Sequence, residues 1–285
     1  MAWKNKGVWN NKDILNYYKR TIGAYRVWGK DMHYGYWKKG DILKKGIGAQ
    51  WIATRRMNEK TVEKLNITKD SYVLDVGCGI GGNVIWLAQT FGCKVVGITI
   101  VPHQVETGRK LAKEAGVEHL CEFRIMDFMN LEFANETFDV VMGLESICYA
   151  DPKSEFIKGV YRILKKGGRF GMADGIASKE EYFGSEKRLM GRWLDGWKVN
   201  NLNTPAQWER DAKNAGFTRT EYANVTKHAI FSGKIMFVLS LVALPLHILE
   251  KFIEIPDYPT DAMFHQYLAM RKGLWEYGIF WAYKE

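Results

Sequence analysis

The run Asp75-Val76-Gly77-Cys78-Gly79-Ile80-Gly81-Gly82 sets a carboxylate two positions ahead of a glycine series, where a short apolar stretch gives way to an amphipathic one. Glycines at such a turn let the backbone approach a ligand closely. Gly77, Gly79 and Gly82 also satisfy G-x-G-x-x-G, so a nicotinamide or flavin dinucleotide has to be weighed. Two features decide against it. Asp75 would repel a pyrophosphate but suits a ligand carrying ammonium and sulfonium charge. The acidic residue expected about 20 positions further on, for a ribose hydroxyl, is absent, because the second apolar run ends Gly97-Ile98-Thr99-Ile100.

Two residues could move a proton. Glu145 follows an apolar run predicted to be a buried strand and so falls at the carboxyl edge of a sheet, where ligands of α/β folds bind. A carboxylate there can serve as a base, or can hydrogen-bond the ligand or a backbone amide. His33 is the second candidate, since a neutral imidazole accepts a proton near pH 7. Metal chemistry is not called for: Cys78, Cys93, Cys121 and Cys148 form no C-x-x-C pair and no zinc or disulfide spacing, which suits a reducing, cytoplasmic setting.

These groups need a scaffold, and the stretch from Ser71 to Lys166 supplies one by alternating β-branched runs with amphipathic segments, the pattern of β-α-β units. The predicted order is strand Tyr72 to Val76, helix Ile80 to Thr90, strand Lys94 to Thr99, helix His103 to Ala115, strands Cys121 to Ile125 and Phe138 to Met142, and helix Pro152 to Leu164. Lys165-Lys166-Gly167-Gly168 reads as the stop of that last helix, leading into a strand over Arg169 to Ala173. Helices are expected to dominate Asn16 to Trp37 and Glu181 to Met270. Phe217 to Val225 and Tyr277 to Tyr283 look like a closing pair of strands.

The chain has 285 residues, of which 47% are hydrophobic and 26% charged, so it is globular in composition and not disordered or fibrous. Its formal charge of +9 favours an anionic partner, but the lysines are scattered and no nucleic-acid partner is expected. Met1 to Lys12 has no apolar segment and predicts no export signal. Ile235 to Leu249 carries no formally charged residue. It is too short for a bilayer span, which needs about 20 residues, and reads either as a buried helix or as a lipophilic cap touching a membrane surface, with Pro245 kinking it near its end.

From Tyr17 onward the sequence resembles the class I S-adenosylmethionine-dependent methyltransferases. Asp75 to Gly82 resembles their cofactor loop, Thr99 with Gln104 the version in which these side chains take the ribose hydroxyls, and Asp127-Phe128 the acidic-plus-apolar pair beside the adenine. Tyr17-Tyr18, the stretch Trp28 to Trp37 and Glu145-Ser146-Ile147-Cys148-Tyr149-Ala150 resemble the branch acting on sterols, tocopherols and isoprenoid diphosphates. The resemblance implies a Rossmann-like, mostly parallel seven-stranded sheet with helices on both faces. It also implies a helical N-terminal segment over residues 1–66, a cofactor-binding core over 67–180, a helical substrate cap with one core strand over 181–270 and a last strand over 271–285.

What such a resemblance implies chemically is methyl transfer to a small lipophilic acceptor, either at carbon or, for a smaller aromatic or amine acceptor, at oxygen or nitrogen; a binding module without catalysis is the third reading. Attack by an alkene carbon leaves a carbocation that aromatic walls shield and one base deprotonates. Glu145 and His33 are the candidate bases. Asp75, Gly77, Gly79, Thr99, Gln104, Asp127, Phe128 and Tyr18 are expected on the cofactor, and Trp28, Tyr36, Tyr149, Phe237 and Leu241 on the acceptor.

Overall fold

The computed structural model describes residues 9–28, 31–42, 46–249 and 259–285; the side chains of 20–28, 47 and 244–249 lie outside that description. The elements in chain order are α1 (Asn11–Trp28), α2 (Ala49–Val62), β1 (Tyr72–Val76), α3 (Gly82–Phe91), β2 (Lys94–Thr99), α4 (Pro102–Glu114), β3 (Cys121–Ile125), β4 (Phe138–Leu144), α5 (Lys153–Ile163) and β5 (Leu164–Ala177). They continue with α6 (Gly184–Trp197), α7 (Pro205–Ala215), β6 (Arg219–Asn224), α8 (Thr226–Leu249), α9 (Thr260–Arg271) and β7 (Trp275–Tyr283).

The seven strands form one sheet in the order β3-β2-β1-β4-β5-β7-β6, parallel except for β7, which runs antiparallel to both neighbours. Continuous β-branched runs such as Val95-Val96 and Val140-Val141 suit strands covered on both faces. One face packs Leu74, Val76, Val141, Phe170 and Phe280 against α5 and α7, and the other packs Val73, Val95, Met142 and Trp281 with α2 and α3. Because the chain starts at β1, steps outward to β3 and returns to β4, the strand order reverses between β1 and β4, and a cleft opens at their carboxyl ends.

The parallel strands match the sequence pattern closely, and the departures have local causes. α5 stops at Ile163, and Lys165 to Gly168 lie inside β5, where the pairing with β4 shifts register between Phe138 and Val140; the glycine pair makes an irregular strand, not a helix stop. Residues 31–37 are extended and not helical. They lie against α8, where the amide of Gly35 and the indole of Trp37 both donate to Ser232 Oγ at 2.9 Å, and His228 Nδ1 donates to the Trp37 carbonyl at 2.9 Å. α7 packs with Trp208 and Ala212 against α5 and covers the sheet, so the cap consists of α6, α8 and α9.

α8 runs for 24 residues and continues through Pro245 without ending. It is therefore longer than the apolar run that signals it. The stretch Thr226–Ala243, with a mean hydropathy of 1.2, is long and apolar enough to cross a bilayer by length and composition. Its first half is nevertheless stitched along one face to residues 35–37 by the hydrogen bonds above, while only 22% of the whole stretch is buried within the protein.

Candidate active site

Two adjoining cavities occupy the cleft. The larger, about 490 Å³, lies over the carboxyl ends of β1 and β2 and is lined by Asp75, Gly77, Gly79, Thr99, Gln104, Asp127, Phe128 and Tyr18. All eight residues expected on the cofactor therefore meet in one place. Gly77 has φ +75°, and a Cβ on it would come within 2.3 Å of the Ser146 Cβ, so only glycine lets β1 turn beneath the loop after β4. A Cβ on Gly79 would meet nothing within 4 Å, which leaves a bare backbone facing the space where a ligand must sit.

Its electrostatics favour a cation. Asp31, Asp75, Asp127 and Glu145 line the cavity, and among the described residues no lysine or arginine does. Burial raises the Asp75 carboxyl to about 7, against the N–H that Asn83 Nδ2 donates to it at 3.0 Å. A carboxyl desolvated to that degree regains its charge when a positive group arrives beside it. Thr99 donates to Gln104 Oε1 at 2.7 Å, and Asn11 at the start of α1 donates to Asp127 Oδ2 at 2.7 Å, closing the far wall. Phe128 is braced edge-to-face by Phe156 at 5.5 Å.

The smaller cavity, about 140 Å³ and called the inner cavity below, lies between β4, β5, β7 and the cap. Trp193, Trp197, Trp275 and Tyr277 form much of its wall, with Trp193 stacked on Trp275 at 4.4 Å. Tyr18, Met32, His33, Glu145 and Tyr149 line both cavities and so stand between them.

Glu145 has φ +48°, a left-handed conformation uncommon outside glycine, held because Ser146 Oγ donates to the Val76 carbonyl and the Glu145 amide donates to Ala173. Its Oε1 accepts from the Tyr34 amide at 2.5 Å and the Tyr277 hydroxyl at 2.7 Å, while among the described residues no donor bonds Oε2. Burial raises this carboxyl to about 8, the two donors pulling the other way. His33 is held neutral, its affinity for a proton lowered by burial, with the Asn58 side chain beside the ring pulling the other way; Nδ1 faces the Tyr34 carbonyl at 3.0 Å.

Three residues expected on the acceptor sit elsewhere. Tyr36 stacks on His228 at 3.9 Å and lines neither cavity. Phe237 is packed against Phe264 and Tyr267, and Leu241 is 46% exposed; α8 reaches the inner cavity instead through Ser232 and Met236. The Trp28 side chain lies outside the described residues. Asp174 escaped the sequence reading. It is buried at the inner cavity, accepts from the amides of Cys148 and Gly175, and is raised to about 6 by burial. Its place at the carboxyl end of the run Arg169 to Ala173 was the available signal.

A sheet in this order, with an acidic glycine-walled cleft at its switch point, defines the class I S-adenosylmethionine-dependent methyltransferase fold. Residues 73–168 match the family model described as a methyltransferase domain, and S-adenosylmethionine is the cofactor of that class. Among similar curated proteins, cycloartenol-C-24-methyltransferase 1 of Oryza sativa subsp. japonica is 30% identical over 73% of this chain and 60% of its own length. Glycine/sarcosine/dimethylglycine N-methyltransferase of Actinopolyspora halophila is 26% identical over 82% of this chain and 39% of its own. The chain thus spans about two fifths to three fifths of these relatives. Geranyl diphosphate C-methyltransferase of Streptomyces coelicolor A3(2), solved with Mg²⁺, geranyl diphosphate and S-adenosyl-L-homocysteine, superposes with a TM-score of 0.74 at 18% identity, covering 96% of this chain and 97% of that one.

Proposed function

We propose that this protein moves the methyl of S-adenosylmethionine onto a carbon of a lipophilic, sterol- or isoprenoid-like acceptor, with Glu145 taking the proton that the acceptor then loses. The observation that carries this reading is Glu145 itself: a buried carboxyl shared by both cavities, tethered through one oxygen and surrounded by aromatic rings. The cofactor supplies a sulfonium methyl, whose carbon–sulfur bond breaks as the new bond to the acceptor forms and leaves the positive charge on the acceptor. Trp193, Trp275 and Tyr277 shield that charge from water, and their π faces attract it. Glu145 is protonated in the empty site near pH 7, since its carboxyl titrates at about 8. A cation bound beside it favours the carboxylate, which prepares the base when the reactants are in place. His33, neutral and desolvated, is the weaker base.

The inner cavity holds only the reacting end of an acceptor, being close to the roughly 150 Å³ that accommodates benzene. The C-24-methyltransferase relative supports a lipophilic acceptor. On the outer face of α8, Val238 is 48% exposed, Leu239 44%, Leu241 46% and Val242 69%, and Lys227 and Lys234 are exposed on the same helix. This face, with the formal charge of +9, suits peripheral contact with an anionic bilayer from which such an acceptor would be drawn.

A second reading, N-methylation of a small amine, is favoured by one observation, the two carboxyls Glu145 and Asp174 lining the same chamber. Labelled S-adenosylmethionine offered with a lipid extract and, separately, with sarcosine and related amines distinguishes the readings by the mass of the labelled product. Label in a polar amine alone would reject the carbon-acceptor proposal.

A further inference from the structure

Lys153, the first residue of α5, is 4% exposed and takes no part in the chemistry above. Its ammonium donates to the carbonyls of Cys148 at 3.3 Å, Ala150 at 3.0 Å and Asn201 at 2.9 Å, and to Asn201 Oδ1 at 2.8 Å. A buried charge persists only where it is bonded and paired. The nearby negative charge is Asp174, whose Oδ2 accepts from the Cys148 amide at 2.9 Å. Two of the four acceptors lie on the loop that begins at Glu145 and includes Tyr149, and two lie on the turn after α6. One side chain thus joins segments 48 residues apart.

That turn, residues 198–203, faces two ways. Val199 and Leu202 line the inner cavity. Asn200 instead pairs with the backbone of Trp9, accepting from its amide through Oδ1 at 2.7 Å and donating from Nδ2 to its carbonyl at 3.1 Å. Trp9 is held by its side chain as well: the indole donates to Asp195 Oδ1 at 3.3 Å, and Lys198 Nζ lies 4.1 Å from the ring centroid. Two residues further on α1 begins, and it carries Ile14 and Tyr18 to the wall of the larger cavity. Asp151 ties loop to turn a second time, accepting from Asn200 Nδ2 at 2.9 Å and Asn201 Nδ2 at 3.2 Å. The polar links therefore run in series, from Trp9 through Asn200 and Asn201 to Lys153 and the loop behind Glu145. Among the described residues, none of 198–203 lines the larger cavity, and neither does Lys153.

We infer that Lys153 and Asn200 are positioning residues for the cofactor, fastening the strap of residues 9–18 across the larger cavity by way of a cap turn that touches no part of it. The inference concerns retention of the nucleoside and holds whichever acceptor is methylated. Links in series behave differently from links in parallel. Breaking one frees the strap and breaking a second adds little, whereas independent contacts contribute separately. Because Val199 and Leu202 of the same turn wall the inner cavity, the hold on the cofactor is built through the acceptor's side of the protein.

The test measures release of S-adenosylhomocysteine from the full chain by surface plasmon resonance, together with amide hydrogen exchange read by mass spectrometry. Asn200→Ala should speed release by about 3- to 10-fold, the worth of one net hydrogen bond. Lys153→Met should do the same and should hasten exchange in residues 9–18 by a similar factor, although its side chain bonds neither that segment nor the cofactor cavity. The double variant should release no faster than the faster single one. A lysine that only supports the fold would change the melting temperature and the exchange of 145–153 and 198–203 while leaving release and residues 9–18 as in wild type. That result overturns the proposal, and so does a double variant whose two effects multiply. If Lys153→Met does not fold, Asn201→Ala, at an exposed position, weakens the same link and takes its place; release from it at the wild-type rate overturns the proposal equally.

Discussion

Tyr277 donates its hydroxyl hydrogen to Glu145 Oε1 at 2.7 Å, and its ring lies flat on that of Tyr34 at 5.4 Å with 5° between the planes. The stacked pair thus delivers two donors, one side chain and one backbone amide, to a single carboxylate oxygen. Glu145→Gln keeps an oxygen for both, so cofactor affinity measured by calorimetry should stay near wild type while turnover falls by about 10²–10⁴. Parallel loss of binding would make Glu145 an orienting residue and leave His33 as the base.

The pH profile should carry the same signature. In the free enzyme the ionisation of Glu145 should produce a limb in kcat/KM that rises with pH through about 8. Tyr277→Phe removes a donor that favours the carboxylate, so that limb should move upward. A profile unchanged by this substitution would detach Tyr277 from the base.

Asp75→Ala should weaken S-adenosylmethionine binding by about 1.5–3 kcal/mol, roughly the worth of a hydrogen bond to a charged group. Thr99→Val should cost less, about 0.5–1.5 kcal/mol. Calorimetric affinities equal to wild type in folded variants would remove both residues from the cofactor site.

Asp75 at about 7 and Glu145 at about 8 both titrate above the ordinary carboxylate range, so the folded protein holds protons that the unfolded chain releases. The stability contributed by these bound protons is present in full below the unfolded values and is lost as pH rises through the folded ones. The unliganded protein should therefore lose stability between pH 5.5 and 8.5 through these groups. A cationic ligand that favours the carboxylates restores it, so the Tm increase produced by S-adenosylmethionine should be larger at pH 8.5 than at pH 5.5. A smaller increase at the higher pH would contradict the placement of its charge beside these carboxyls.

Phe237 and Leu241, four residues apart on α8, should respond differently. Phe237→Ser removes a half-buried ring packed on Phe264 and Tyr267 and should lower stability by about 1–3 kcal/mol. Leu241→Ser, at an exposed position, should leave Tm nearly unchanged but weaken flotation with anionic vesicles, and salt should weaken it further. Flotation indifferent to both the substitution and salt would exclude this face as a lipid contact.

The parallel half of the fold was legible because a strand covered on both sides needs an uninterrupted apolar run, and Val73, Val95 and Val140 sit in such runs. The cofactor residues were legible too, since Asp75, Thr99 and Asp127 lie within two residues of the carboxyl ends of β1, β2 and β3. The acceptor chamber was not, because its walls come from residues far apart in sequence whose side-chain directions depend on helix rotation. Phe237 and Met236 are neighbours in the chain, yet only Met236 faces the chamber. Gln50 and Gln266 carry no local pattern at all; they line the chamber because the fold brings α2 and α9 to it.

The residues standing between the two cavities impose an order on events. Tyr18, Met32 and His33 wall both spaces, and Asn11 fastens the start of α1 across Asp127. Steady-state kinetics should accordingly be sequential and ordered, the nucleoside entering first and leaving last. S-adenosylhomocysteine should compete with S-adenosylmethionine yet inhibit noncompetitively against the acceptor, so that turnover in a cell is governed by the ratio of these two nucleosides.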